Sequence, residues 1–370
     1  MIQFQTNLLN INPAYNDSII RYKSTITGMT KSEIVISGST FTVYPFNELF
    51  SFNFKDIAKV TINQNGFKDS ILPDLTSGNF IYSDSTLQTT LSGTIKTLNS
   101  LTSDTTNISY SFTKNVEQLP FYNQKLLATN NIVVLLPSEN NFDYSVTYFE
   151  GFPFDFSIRG INNGDTYYFK NSNSGMISNT YTATTSDVKR IFLSDGATNE
   201  TLSNVLPLST NVNAVELWVN GIIKGNINIK RVESECGVYV KWFNQNGGYS
   251  YWLFDKFYKE NFKTKDLTDV QGKWDNLQSL TSSSESLGKT ATNTLQLTTR
   301  YNRTEKEYLL DLTKSPKTEM YIHQLPFFKQ NQFNFVGVKV SDEGFTIDSK
   351  MTNNKLKISL ELPAINTITY

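Results

Sequence analysis

Apolar side chains recur at every second position along much of the chain. Phe50, Phe52 and Phe54 alternate with polar residues in LFSFNFK, and Ile108, Tyr110 and Phe112 do so in NISYSFT. The same pattern runs through NFDYSVTYF (Phe142, Tyr144, Val146, Tyr148), FPFDFSI (Phe154, Phe156, Ile158) and AVELWVNG (Val215, Leu217, Val219). A period of two places one side of a strand against a core and leaves the other side wetter. Asn65-Gly66, Asn163-Gly164, Asn220-Gly221 and Asn246-Gly247 punctuate these runs. Asn-Gly tolerates the positive φ angles of tight type I′ turns and so favours hairpins. Many short strands joined by hairpin turns predict an all-β, mainly antiparallel chain built of β-sandwich or β-barrel-like units.

Helix signals are few. Thr304-Glu305-Lys306-Glu307 reads as a capping box that opens a short helix near 304–313 carrying Tyr308, Leu309 and Leu312. Ser315-Pro316 ends it, because the residue before proline avoids helical geometry. DLTDVQGKWDNLQSL (266–280) is a weaker helical candidate, interrupted by Gly272. The polar runs TLNSLTSDTTN (97–107) and SLTSSSESLGKTATN (279–293) read as loops. Breaks near 115 and 232 divide the chain into an N-terminal β-domain (1–115), a middle β-domain (116–232) and a C-terminal β-domain (233–370) with the helix and an aromatic hairpin.

Composition narrows the chemistry. With 370 residues, 26 Phe and 19 Tyr there is apolar material for more than one core. Only 18% of residues are charged, so Ser, Thr and Asn must supply much of the polar surface. The formal net charge is −1, with 33 basic and 34 acidic residues and no Lys/Arg run; direct nucleic-acid binding is not expected. The single cysteine, Cys236, excludes an internal disulfide and a Cys-based zinc site, and the single histidine, His323, excludes a two-histidine metal site. His323 sits in the strand-like MYIHQLPFF, without the sharp glycine-flanked turn that exposes a nucleophile. No phosphate-binding loop, dinucleotide fingerprint or EF-hand spacing occurs, so no cofactor and no metal are expected. A glycosidase needs two carboxylates a few ångström apart; Glu150, Asp155 and Asp255 lie near aromatics, as in many glycan sites, but nothing in the sequence pairs them, and the chain reads as a non-enzyme. The opening MIQFQTNLLNINPAY lacks the basic and apolar regions of a signal peptide, which predicts synthesis in a cytoplasm. No segment approaches the ~18 apolar residues of a membrane span.

The densest aromatic stretch is WFNQNGGYSYWLFDKFY, Trp242 to Tyr258. Val238, Val240 and Trp242 share one side of its first strand, and Tyr239, Lys241 and Phe243 the other. Beyond the turn, Tyr249, Tyr251 and Leu253 alternate with Ser250, Trp252 and Phe254. Large side chains on both sides predict a hairpin buried on both sides, with Asn246, Gly247 and Gly248 at its tip. Three readings compete: an interior hairpin, a subunit interface, and a glycan-stacking platform formed by Trp242, Tyr251 or Trp252.

The Trp-Phe-Asn-x-Asn-Gly-Gly and Tyr-x-Tyr-Trp-Leu-Phe pattern of 242–254 resembles a hairpin in virion proteins of tailed phages and prophages of Bacteroidetes bacteria. Asn-Pro-Ala-Tyr-Asn-Asp-Ser-Ile-Ile (12–20) is similar to their N-terminal strand. Leu-Leu-Asp-Leu-Thr-Lys-Ser-Pro (309–316), followed by Met320–His323, is similar to the helix that precedes their C-terminal β-unit. The resemblance implies a tail-tip, baseplate or other tail-associated structural protein, located in the virion. Such a protein forms a homo-oligomeric ring, contacts other virion proteins and supports attachment to the host. Trp242, Phe243, Asn246, Gly247, Gly248, Tyr251 and Trp252 would then serve structure or an interface. The alternative is a carbohydrate-binding receptor-recognition protein, a tail fibre or surface lectin, whose partner is a host surface glycan.

Overall fold

The computed structural model describes residues 1–69, 81–117, 132–138, 142–150, 152–193, 211–233, 237–271, 284–302, 304–321, 335–341 and 353–369, together with Ile71, Asn140 and Leu208. Cys236 and His323 lie outside the described residues. The chain divides into two compact units: unit 1 holds Met1–Val232 and Phe243–Ser250, and unit 2 holds Glu233–Trp242 and Tyr251–Tyr370.

Among the described residues, unit 1 contains four sheets. The first is β1 (Ile2–Thr6), β3 (Ile19–Ser24) and β6 (Phe50–Asn53), in the order β1-β3-β6. The second has the order β2-β9-β8-β4-β5, with β2 (Ile11–Pro13), β4 (Lys31–Ile36), β5 (Ser39–Val43), β8 (Gln88–Leu98) and β9 (Ser103–Thr113). Strand alternation sends Tyr22, Phe50, Ile34, Ile95 and Phe112 from these two sheets into one core, joined by Ala58 and Ile62 of helix α1 (Lys55–Ile62). Its rings meet edge-on and offset, as in Tyr22 and Phe50, 5.5 Å apart, and Phe54 and Tyr110, 5.3 Å apart, the geometries that ring quadrupoles favour.

The third sheet is β10 (Val133–Val134), β12 (Phe154–Arg159), β15 (Val188–Leu193) and β7 (Ile81–Asp84), in the order β10-β12-β15-β7. The fourth is β11 (Asp143–Phe149), β17 (Ile222–Val232), β16 (Val212–Val219), β13 (Thr166–Asn171) and β14 (Tyr181–Thr182), in the order β11-β17-β16-β13-β14. Every residue of β12 and β15 is buried. Phe154 and Phe156 of β12 meet Tyr148 and Phe169 of the fourth sheet edge-on at 6.0 Å. The opposite side of β12 carries Asp155, Ser157 and Arg159 and is covered by other groups, described below. Most pairings are antiparallel; β11 with β17 and β2 with β9 are parallel.

Unit 2 is organised on a seven-stranded sheet of order β19-β18-β24-β25-β26-β23-β20, built from β18 (Val238–Phe243), β19 (Tyr249–Phe254), β20 (Lys259–Asp266), β23 (Lys289–Asn302), β24 (Thr318–Tyr321), β25 (Phe335–Val340) and β26 (Asn353–Glu361). A small ladder pairs β21 (Asp269–Gln271) with β22 (Ser284–Ser286). The all-β, mainly antiparallel class read from the sequence is the class observed, and the helices among the described residues are short.

Three local expectations differ. The polar run at 97–107 is not a long loop: β8 and β9 pair from Leu98↔Ser103 onward. The run at 279–293 likewise holds β22 and the start of β23, and at 266–271 the end of β20 and the strand β21 flank Leu267 and Thr268, with no helix; the remainder of that helical candidate lies outside the described residues. The helix near 304–313 is present as α2 (Lys306–Leu310) and a 3-10 turn at Asp311–Lys314, but its N-cap, Glu305, has no side-chain cap, and the reciprocal pair forms instead in the turn before it, two residues earlier than read. Asn302 Oδ1 accepts from the Glu305 N–H at 2.9 Å, and Glu305 Oε2 accepts from the Asn302 N–H at 3.0 Å.

Candidate functional site

The hairpin of β18 and β19 holds Trp242, Phe243, Asn246, Gly247, Gly248, Tyr251 and Trp252, and every strand position in it is buried. Its tip belongs to unit 1. The loop is longer than a two-residue type I′ turn: Asn244 N–H donates to the Gly248 carbonyl at 2.9 Å, and Gly247 N–H returns to the Asn244 carbonyl at 3.2 Å. Asn244 is the organiser, since its Oδ1 accepts from Gly248 N–H and its Nδ2 donates to Leu135 O and Ser250 Oγ, each at 3.0 Å. Asn246 Nδ2 donates to the Leu136 carbonyl. Gly247 has φ +93°, and a Cβ there would stand 3.0 Å from Lys114 O; at Gly248 it would stand 2.8 Å from Leu135 O. At Gly248 a Cβ would force the backbone to shift, and at Gly247 the positive φ and the tight approach together favour glycine.

The tip lies on the polar side of β12 and β15, over a buried charge cluster. Arg190 is fully buried, and its guanidinium carbon is 4.4 Å from the Tyr249 ring centroid and 5.2 Å from that of Phe192. Asp155 accepts from Nε at 2.8 Å and Nη2 at 2.9 Å, and Asp69 from Nη1 at 2.6 Å and Nη2 at 3.0 Å. Asp84 Oδ2 stands 3.5 Å from Nη1. Burial alone would lower the arginine pKa, but Asp155 and Asp69 hold it well above its ordinary value. Burial, with Asp69 next, raises the Tyr249 hydroxyl well above its usual range. Phe243 packs on Phe67 at 5.1 Å and on Tyr249 at 5.5 Å. Lys114, 4.5 Å from the Phe67 ring centroid, has its pKa lowered by burial against the opposing pull of Asp84.

The base of the hairpin belongs to unit 2. Trp242 is fully buried, 5.4 Å from Tyr308 at 69°. Trp252 is 4% exposed and its Nε1 donates to Thr299 Oγ1 at 3.0 Å. Tyr251, 2% exposed, stacks on Tyr239 at 5.8 Å and donates its N–H to Tyr308 Oη at 2.8 Å. These rings offer no face to a sugar, so the hairpin is not a glycan platform within this chain.

The carboxylates considered for catalysis have separate structural partners. Asp155 holds Arg190, Glu150 pairs with Arg231, and Asp255 Oδ2 accepts from Thr298 Oγ1 at 3.0 Å. Among the described residues no group of His, Cys, Asp and Glu is arranged to hold a metal ion, and no helix is long and apolar enough to cross a membrane.

Two surface features escaped the sequence reading. Tyr168 of β13 and Trp218 of β16 are paired neighbours on the solvent side of the fourth sheet, half-buried and stacked at 5.7 Å and 10°. Trp218 Nε1 donates to Glu216 Oε2 at 2.8 Å, and Ser172 Oγ donates to Glu216 Oε1 at 2.6 Å. The alternation Val215, Leu217, Val219 already implied that Trp218 faces outward. The second feature is the Tyr44–Leu49 turn, where Asn47 and Glu48 adopt φ +49° and +63° between two Phe46–Leu49 backbone hydrogen bonds of 2.9 and 3.0 Å. It holds Tyr44 and Phe46 in solvent at 75% and 80% exposure.

No family model matches the chain, and no curated protein matches it. Among solved structures, a titin fragment is similar at 10% identity, with 62% of this chain and 98% of that chain covered and a TM-score of 0.25. A tandem from titin is similar at 8% identity over 63% of this chain and 66% of that one, TM-score 0.18. A protein of unknown function from Porphyromonas gingivalis W83 is similar at 9% identity over 62% and 99%, TM-score 0.16. TM-scores this low carry no argument. The class rests on the chain's own strands: a mainly antiparallel all-β protein whose most distinctive sequence motif lies in its interior.

Proposed function

We propose that the chain is a structural component of a phage particle, placed at the tail tip or baseplate, that works by assembling with copies of itself and with other virion proteins. The observation that supports this is the Tyr44–Leu49 turn. Two non-glycine residues in the left-handed region are uncommon, and here they close a turn between β5 and β6, strands of different sheets, that carries two bare aromatic rings. Exposed rings on a preorganised backbone suit a knob that enters a pocket on a neighbouring subunit, where aromatic anchors dominate association energy. The buried Arg190 cluster fits the same work, because it ties together strands and turns of unit 1. This role needs neither catalysis nor a cofactor.

Light scattering of the purified chain from micromolar to near-millimolar concentration tests the reading. Assembly predicts a discrete oligomer, and Tyr44→Ser with Phe46→Ser predicts its loss without a change in melting temperature. A monomer at every concentration would remove self-assembly.

The second reading, a carbohydrate-binding protein, is supported by the Tyr168–Trp218 pair, whose hydrogen-bonded indole is already fixed for stacking on a sugar ring. Neutral glycan binding abolished by Trp218→Ala would favour it. Unchanged binding would remove this surface from consideration.

A further inference from the structure

The sheet of unit 2 turns Leu295, Leu297, Leu356, Ile358 and Leu360 of β23 and β26 inward. The intervening positions face solvent, and register decides what gathers there. Arg300 stands directly opposite Lys355, and Thr298 opposite Lys357. On β20, Lys259, Lys263 and Lys265 occupy alternate positions of the same side, opposite Gln296, Thr292 and Thr290. Lys339 of β25 stands opposite Glu361. All these basic side chains are exposed, and none forms an ion pair among the described residues. Among the described residues the carboxylates on or beside this side are Glu361, Asp255 at Thr298, and Glu319 of β24, which stands opposite Gly337 and within 3.7 Å of Lys241 and 3.5 Å of Lys317.

Lysines on an edge strand have an ordinary explanation, since they deter edge-to-edge aggregation. That explanation covers β20. It does not cover Arg300, Lys355 and Lys357, which lie on β23 and β26, inside the sheet. Like charges directly opposite one another weaken an antiparallel pair, so the Arg300–Lys355 pairing costs stability in the isolated chain. An anion laid across the two strands would relieve that repulsion.

We propose that this side of the unit 2 sheet binds a linear anionic polysaccharide carrying carboxylate groups. Strands about 4.8 Å apart, with same-side residues about 7 Å apart along each, set basic groups in rows at the spacing of a flat extended chain. Thr290, Thr292, Thr294, Thr298, Gln296 and Asn261 lie between them and supply donors and acceptors for sugar hydroxyls. Phe262 of β20 is 59% exposed but lies opposite Asn293, on the other side of the strand from the basic row; the basic side of β20, β23 and β26 itself carries no aromatic residue, so single-stranded nucleic acid would find no stacking platform on it. The flat side also presents neither a helix nor a two-stranded ribbon to a duplex groove. The proposal goes beyond the assembly role and does not depend on it: the mass measurement and the binding measurement fail separately.

The test is affinity electrophoresis of the intact chain through gels containing polygalacturonate, neutral dextran or nothing. Expected is retardation by polygalacturonate alone, weakening as salt rises. The variant Lys263→Gln, Arg300→Gln, Lys355→Gln, Lys357→Gln should weaken retardation by about tenfold or more at an unchanged melting temperature. A control removing the exposed unit 1 lysines Lys23, Lys59 and Lys96 should weaken it far less. Equal loss in the control would reduce the effect to net charge and overturn the proposal, as would retardation by dextran or no retardation at low salt. Tighter binding to single-stranded or duplex DNA, or to phosphatidylglycerol vesicles, than to polygalacturonate would assign the surface to those partners and overturn it equally.

Discussion

Arg190, fully buried, is held by three carboxylates. Its carboxylate partners lie 35, 106 and 121 residues away in the sequence, at Asp155, Asp84 and Asp69. No local motif could announce them. Breaking a buried ion pair by removing one partner leaves an uncompensated buried charge, so Arg190→Met or Asp155→Ala should each cost roughly 3–5 kcal/mol in urea unfolding. A loss under ~1 kcal/mol in both would mean that water reaches the cluster. The tryptophans were the opposite case, visible in the sequence as a two-sided aromatic strand pair and found in the interior. Trp242→Ala and Trp252→Ala should each lose roughly 3–5 kcal/mol in the same assay. Sequence could not choose between core, interface and platform, because strand alternation reports that two sides are apolar and not what covers them.

At the scale of elements, the same dipeptide had two outcomes. Asn220-Gly221 forms the two-residue turn that Asn-Gly favours, with φ +50° and +75° between the paired Val219 and Ile222. Asn246-Gly247 also closes a hairpin, but inside a longer loop whose shape is set by Asn244 and by the Leu135–Leu136 backbone. Local turn propensity decided the first; tertiary hydrogen bonds decided the second. Gly248→Ala should therefore destabilise by about 1–3 kcal/mol through overpacking against Leu135. An unaltered melting temperature for Gly248→Ala would show that the tip can retreat. Helix α1 went unread because its N-cap, Phe54, makes no side-chain cap, and it follows an alternating strand without a break. The Thr- and Ser-rich runs were mistaken for loops because strands here carry hydroxyls on their wet side, as Ser92 with Ser109 and Thr90 with Ser111 do, each pair at 3.0 Å.

For the molecule as a whole, alkaline pH offers a global probe. Burial pushes the hydroxyls of Tyr22 and Tyr167 up to about 12, and Tyr144 and Tyr249 move in the same direction. These groups stay neutral in the fold after the unfolded chain has begun to ionise. Their contribution is full below pH ~10 and is lost as pH rises from there toward about 12. Stability should therefore fall steeply over that window, and Tyr22→Phe should flatten the fall. A flat profile to pH 12 would contradict the burial of these rings. Charge at this scale was only partly legible: the net value of −1 is correct, yet it conceals a one-sided basic sheet, hinted at only by the strand-like spacing of Lys263 and Lys265 and of Lys355 and Lys357. The tip of the hairpin has a further consequence, which concerns time. Residues 243–250 complete unit 1 but come after Val232 in the chain. During synthesis, at roughly 5–20 residues per second, Arg190 and its three aspartates leave the ribosome before the Tyr249 ring that covers them exists. A nascent chain halted at Val232 should therefore remain protease-sensitive around β12 and β15, and one extended past Ser250 should not.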